Sequence, residues 1–168
     1  MRLGEWLVHN GALTPEQVQT ILAYQSQWKC KFGEAVLSLN ILPREVFLRL
    51  LAGHLNVPFI RSDQLDKVPA SIIHAVPAEV VSRLRICPLK LRQTGSRGSI
   101  FIATHQPENL KLIDEVSFAT SLIVQPVLAF QEDIERTLRR HGLIAGRHVE
   151  PIELPPEEDF RWDHSRYR

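Results

Sequence analysis

A chain of 168 residues with 44% hydrophobic composition has apolar material for one large or two small cores. With 20 Lys and Arg against 19 Asp and Glu, its net charge of +1 gives no general reason to bind nucleic acid or an anionic membrane. Cys30 and Cys87 are too few and too isolated for a disulfide framework or a zinc site, and read as reduced thiols of a cytoplasmic protein.

The first residues, MRLGEWLVHNG, carry Arg2, Glu5 and His9, and no uncharged apolar run approaches the ~18 residues of a membrane span. Neither an export signal nor direct membrane insertion is expected. The same stretch opens a repeat: RLGEWLVHNGALTPEQVQTILAYQ at 2–25 lies over KFGEAVLSLNILPREVFLRLLAGH at 31–54 without a gap, 29 residues on. Gly4/Gly33, Glu5/Glu34, Leu13/Leu42, Glu16/Glu45, Leu22/Leu51 and Ala23/Ala52 are identical pairs. Apolar residues three and four apart make each unit a short helix, a turn and a longer helix. Gly11 suits the left-handed residue that ends the first short helix, and Asn40 takes its place in the second unit. Thr14-Pro15-Glu16-Gln17 supplies a capping hydroxyl, a proline at the first helical position and a glutamine three after the cap; Pro43 and Glu45 mark the equivalent start. One unit alone buries little surface, so the two are expected to pack together as a four-helix platform.

Past Pro58 the pattern changes, and SDQLDKVPASIIHAVPAEVVSRL reads as two short helical stretches punctuated by Pro69 and Pro77. A boundary is expected near 59–68. ICPLKLRQ at 86–93 and SIFIATH at 99–105 read as strands joined across the glycine-containing loop Thr94 to Gly98. Pro107 to Ala119 reads as a helix, LIVQPVLAF at 122–130 as a third strand and Glu132 to His141 as a closing helix. Pro126 removes a ladder donor, which puts the third strand at an edge or a bulge. The expected fold is α+β: a four-helix repeat platform over 1–58, then a small alpha/beta subdomain with about three strands over 59–141. From Gly142, Pro151, Pro155, Pro156, Glu157, Glu158 and Asp159 precede FRWDHSRYR, a composition that favours a mobile 142–168 tail; a partner-binding peptide is the other reading.

Catalytic constellations are missing from the sequence. The loop Thr94-Gly95-Ser96-Arg97-Gly98-Ser99 leads into a strand and has no lysine, so it is not the phosphate-cradling G-x-x-x-x-G-K-[ST] of an ATPase. There is no G-x-S-x-G elbow and no H-E-x-x-H pair, and the scattered histidines, among them His9, His54, His74 and His105, suggest no metal site. An enzyme is not expected. The basic residue and glycine that open each repeat remain. Arg2 and Lys31 stand where a helix presents unpaired amides and its positive dipole end, which can hold a phosphate when glycine lets the ligand reach the backbone. Equally, Gly4 and Gly33 could serve only close helix packing.

The register RLGxxLVxxGxLxxxxVxxxLxxQ from Arg2 to Gln25 resembles the cyclic di-GMP-binding motif of the MshE N-terminal family. In that family two such 24-residue motifs, five residues apart, bind one cyclic di-GMP; here Ser26 to Cys30 are the five. The resemblance implies that the ligand is bound by Arg2, Leu3, Gly4, Leu7, Val8, Gly11, Leu13, Leu22 and Gln25 of the first motif. From the second it implies Lys31, Phe32, Gly33, Val36, Leu37, Asn40, Leu42, Leu51 and His54, where Asn40 replaces glycine and His54 replaces glutamine. From Leu55 through His141 the chain is similar to the alpha/beta part of type II secretion and type IV pilus ATPase N-terminal domains. The resemblance implies a regulatory or adaptor protein without a catalytic cofactor. It would dock on a secretion or pilus assembly protein, either a motor ATPase or an inner-membrane platform component. A degenerate interaction module that no longer binds nucleotide is the alternative.

Overall fold

A computed structural model of the chain describes residues 2–145, so most of the expected tail, 146–168, lies outside the described residues. Each repeat forms a short helix, a tight turn and a long helix: α1 (Leu3–His9) and α2 (Pro15–Trp28), then α3 (Phe32–Ser38) and α4 (Arg44–Leu55). The turn after α1 puts Gly11 at φ 72°, and the turn after α3 puts Asn40 at φ 52°, a left-handed conformation that asparagine tolerates. The start of α2 is closed as its sequence predicts. Gln17 N–H donates to Thr14 Oγ1 at 3.2 Å, and Thr14 N–H donates to Gln17 Oε1 at 2.9 Å. The helices pack crosswise, α1 against α4 and α2 against α3. Leu7, Ile21, Ala35, Val36 and Phe47 form the core between them.

Between Pro58 and the sheet there are three short helices where the sequence suggested two: α5 (Ser62–Leu65), α6 (Ala70–Ile73) and α7 (Ala78–Leu84). Pro69 and Pro77 cap the second and third, as expected of a residue that cannot continue a preceding helix. The additional helix, α5, is closed by Arg61 N–H donating to Gln64 Oε1 at 3.1 Å. The strands β1 (Cys87–Thr94) and β2 (Arg97–Thr104) form an antiparallel hairpin whose turn is tighter than the five-residue loop expected. Thr94 pairs with Arg97, leaving Gly95 at φ 68° and Ser96 as a two-residue loop, the geometry glycine permits at the first central position. The helix α8 (Leu110–Thr120) starts later than Pro107 because Asn109 Oδ1 accepts from Leu112 N–H at 3.3 Å and acts as its cap. It returns the chain to β3 (Ile123–Leu128), parallel to β2, and α9 (Gln131–Arg140) closes the described chain.

The fold is α+β, with nine helices and a mixed sheet of order β1-β2-β3 among the described residues. Pro126 sits in edge strand β3. Leu128 N–H, two residues on and on the same side, donates away from β2 to Pro58 C=O at 2.8 Å, so the donor missing at Pro126 is one the β2–β3 ladder does not use. Ile60 N–H donates back to Leu128 C=O at 2.9 Å, tying the chain that leaves α4 to the end of β3. Around the sheet, Ile86, Ile100, Ile102, Val116, Ile134 and Leu138 form a second core. Phe130, although it follows β3, packs with the helical platform.

Candidate functional site

The repeat geometry brings the openings of the two motifs together. Arg2 and Lys31 are extended residues preceding α1 and α3, with φ/ψ of −70°/154° and −74°/156°. A Cβ built on Gly4 would stand 3.4 Å from the Phe32 ring and 3.3 Å from Val18. Leu3 shares a groove of about 560 Å³ with Lys31, Phe32, Gly33, Leu37 and Leu51. Gly33 lies under Phe47, whose ring would be 3.1 Å from an added Cβ. The Gly33 contact is the tighter of the two, and Gly4 is closer to ordinary van der Waals contact.

The helix starts are less bare than an anion site requires. Arginine and lysine side chains have no acceptor, so neither can cap the amides that follow. Instead Glu5 Oε2 accepts from Arg2 N–H at 3.2 Å, and Glu34 Oε2 accepts from Lys31 N–H at 3.0 Å. Each carboxylate satisfies one orphan donor and adds negative charge to the dipole's positive end. An anion approaching there would rely on the side chains of Arg2 and Lys31, both exposed and without a salt-bridge partner among the described residues.

The remaining motif residues divide by burial. Leu7, Leu13 and Val36 are core residues with at most 5% exposure, and they shape the platform from beneath. Val8, Phe32, Leu37, Leu42 and Leu51 are half-buried, whereas Leu22 is 44% exposed. Gly11 and Asn40 sit in the exposed turns. Gln25 follows Leu22 by one turn of α2, as His54 follows Leu51 on α4. The two polar ends differ in surroundings: His54 meets the Trp6 ring edge-on with centroids 5.5 Å apart, and the repeat equivalent of Trp6 is the small Ala35.

Residues that no motif pointed to also line the groove shared by Leu3 and Lys31, which belongs to the second repeat and is called the second groove below. Arg44 donates to Glu132 at 3.1 Å and to Asp133 at 3.0 Å, with its guanidinium 4.5 Å above the Phe130 ring. Phe130 stacks on Phe47 with 6.4 Å between centroids. His105 also lines this groove; its Nδ1 is buried without a hydrogen-bond partner. Burial pushes the His105 pKa down, and Lys31 adds to this, partly countered by Glu108 and Glu135. Nothing in the sequence marks these partners, because Arg44 and Glu132 are 88 residues apart. Among the described residues no three His, Cys, Asp or Glu converge on a metal position, and no helix is long and apolar enough to cross a membrane.

The fold is that of an α+β domain whose helical part is a duplicated motif. The MshEN domain family model matches residues 55–148, and the chain belongs to that family. It is 25% identical over 151 residues to the type IV pilus assembly ATPase PilB of Myxococcus xanthus (strain DK1622), covering 90% of this chain and 26% of that protein. To the PilB of Acinetobacter baylyi (strain ATCC 33305 / BD413 / ADP1) it is 23% identical over 137 residues, covering 81% of this chain and 18% of that protein. The chain thus spans about a quarter or less of these relatives. Among solved structures, MshE with cyclic di-GMP (cdg) superposes with a TM-score of 0.66 at 23% identity, covering 84% of this chain and 99% of that one. The N-terminal domain of XpsE gives 0.55 at 17% identity, covering 83% and 92%. At these identities the likeness is one of fold.

Proposed function

We propose that this chain is a cyclic di-GMP-binding regulatory or adaptor module of a secretion or pilus machine, working in the cytoplasm by docking on a motor ATPase or inner-membrane platform protein, and hydrolysing no ATP itself. The observation that carries this reading is the meeting of Leu3 with Lys31, Phe32 and Gly33 at one groove, with Gly4 against the Phe32 ring. A two-fold-symmetric dinucleotide needs two like half-sites side by side, and the repeat supplies them. Its relation to MshE, solved with cdg, supports the same reading. We take 1–58 as the ligand-binding unit, 59–141 as the alpha/beta unit that bears on the partner, and 142–168 as a tail.

The proposed contacts are Arg2 and Lys31 to phosphate or guanine and Gln25 and His54 to a base edge, with the half-buried apolar residues of both motifs against the rings. Leu7, Leu13 and Val36 would act from the core. Calorimetry should give one cyclic di-GMP per chain at micromolar affinity, about 8 kcal/mol at 1 μM, weakened by salt. The halves should be unequal, because His54 is already engaged with Trp6, whose repeat equivalent is the small Ala35. Arg2→Ala and Gln25→Ala are expected to lose roughly 1.5–3 and about 1 kcal/mol of binding, more than Lys31→Ala and His54→Ala respectively. If His54→Ala were the most damaging and Arg2→Ala neutral, these assignments would be wrong.

A degenerate docking module is the second reading, and the ring of Phe130 and the carboxylates of Glu132 and Glu135 at the second groove favour it. Absence of heat or stabilisation at millimolar cyclic di-GMP would select it.

A further inference from the structure

The two repeats present the same groove between short and long helix, and among the described residues only the second is also lined by a later part of the chain. There the floor is Gly33, Leu37 and Phe47, and Phe130 lies against it beneath Arg44, with the acidic first turn of α9 paired to that arginine. The residues 29 positions earlier form the first groove: Gly4, Val8 and Val18 in the floor, Pro15 in the place of Arg44. It encloses about 510 Å³, and its lining comes from α1 and α2 alone.

The chemistry of this groove selects its occupant. Replacing Arg44 by Pro15 removes the cation that holds acidic residues, while Glu34, which lines the second groove, is kept in the first as Glu5. The second groove suits a ring followed by carboxylates, as in Phe130-Gln131-Glu132-Asp133; the first suits a ring followed by cations. That pattern closes the sequence beyond the described residues, as Phe160-Arg161-Trp162 and then Arg166-Tyr167-Arg168. We propose that the segment Phe160–Arg168 docks in the open first-repeat groove of its own chain, an aromatic ring on Gly4, Val8 and Val18 and an arginine against Glu5. From Ala145 to Phe160 the chain can span about 50 Å when extended. A folded unit of this size has a radius of gyration of about 15 Å, so the segment can reach the groove. Gly4 and Val8 also belong to the nucleotide set, so tail and nucleotide exclude one another there; the docking stands whether or not nucleotide binds.

Methyl NMR of the full chain tests this. In the double variant Phe160→Ser, Trp162→Ser, which alters no described residue, the Val8 and Val18 methyl signals should lose the ring-current shifts they show in the parent. Gln19→Lys, an exposed change at the groove rim, should shift the same methyls in the same direction by repelling the arginines. Unchanged Val8 and Val18 signals in the tail variant would overturn the proposal. So would changes confined to Leu110, beside the exposed Phe118 face of α8, since the tail would then lie elsewhere. Shifts that vanish on dilution would overturn docking within one chain in favour of docking between copies.

Discussion

A Cβ added to Gly33 would stand 3.1 and 3.2 Å from Phe47, whose ring is 1% exposed and stacked on Phe130, so the ring has nowhere to go. Replacing glycine by alanine in a helix gains at most about 1 kcal/mol, and forcing a methyl into a packed core costs typically about 1–3. Gly33→Ala should therefore lose about 1 kcal/mol net. At Gly4 the contacts are 3.3 and 3.4 Å, and Phe32 is only half-buried, so Gly4→Ala should be close to neutral. Urea unfolding of the two variants tests the order; a Gly33→Ala chain as stable as its parent would mean that Phe47 yields. His105 makes a separate prediction at this scale. Its pKa is lowered from 6.5, first by burial and then by Lys31, so just below pH 6.5 the unfolded chain binds more protons than the folded one. The stability this contributes is full above 6.5 and is lost as pH falls through that window. His141 is shifted the same way, by burial and then by Arg140 and His74. The melting temperature should fall between pH 7 and 5, and His105→Asn should flatten the fall, leaving the share of His141. An equal slope in both proteins would remove His105 from the account.

Between elements, Arg44 joins the start of α4 to the start of α9. Its two arms differ in worth. Glu132 is 82% exposed, and solvent screens that pair; Asp133 is 7% exposed and needs its partners. Losing one partner of a buried carboxylate costs several kcal/mol at the extreme, but Arg44 is 40% exposed and Arg136 still reaches Asp133 at 3.4 Å. Arg44→Ala should thus cost about 1–2 kcal/mol, and Glu132→Gln under about 0.5. Thermal unfolding of the two compares them directly, and a larger loss for Glu132→Gln would contradict the role given to burial. The same contrast explains which elements the sequence reveals. The caps Thr14 and Pro15 and the turns at Gly11 and Asn40 are local, so each residue announces its own geometry. The helix α5 is also local, yet Arg61 is an unusual cap and its closing Gln64 is one residue in a polar run. The clamp at Arg44 depends on residues the fold alone brings together, and no periodicity carries that information.

At the scale of the whole molecule, two apolar clusters meet where β3 turns into α9. Phe130 packs with Phe47 and Leu48 of the platform, while Ile134 and Leu138, one and two turns further along α9, are fully buried in the other core. The repeat made the helical half legible in the sequence, and the alternating strands did so for the other half. Their joint was not legible, because Phe130 reads equally well as the end of a strand. A joint made of a buried aromatic stack and a clamped carboxylate makes independent unfolding of the halves costly, since either half opening alone would expose Phe130 or Phe47. Two probes separate the halves. Trp6, packed against the platform core, reports on the platform, and the Cys87 thiol, buried in the other core with its pKa pushed up to about 12 by that burial, reacts only when that core opens. In a urea series, tryptophan emission and Cys87 labelling should change with one common midpoint. Because Trp162 also emits and the Cys30 thiol of the platform would also be labelled, the comparison is made in Trp162→Phe, Cys30→Ser. Phe130→Ala, which removes the ring from the joint, should split the midpoints, with Cys87 still protected after the platform has opened or the reverse. Distinct midpoints already in the parent would mean that the two cores fold separately and that the joint couples them only weakly.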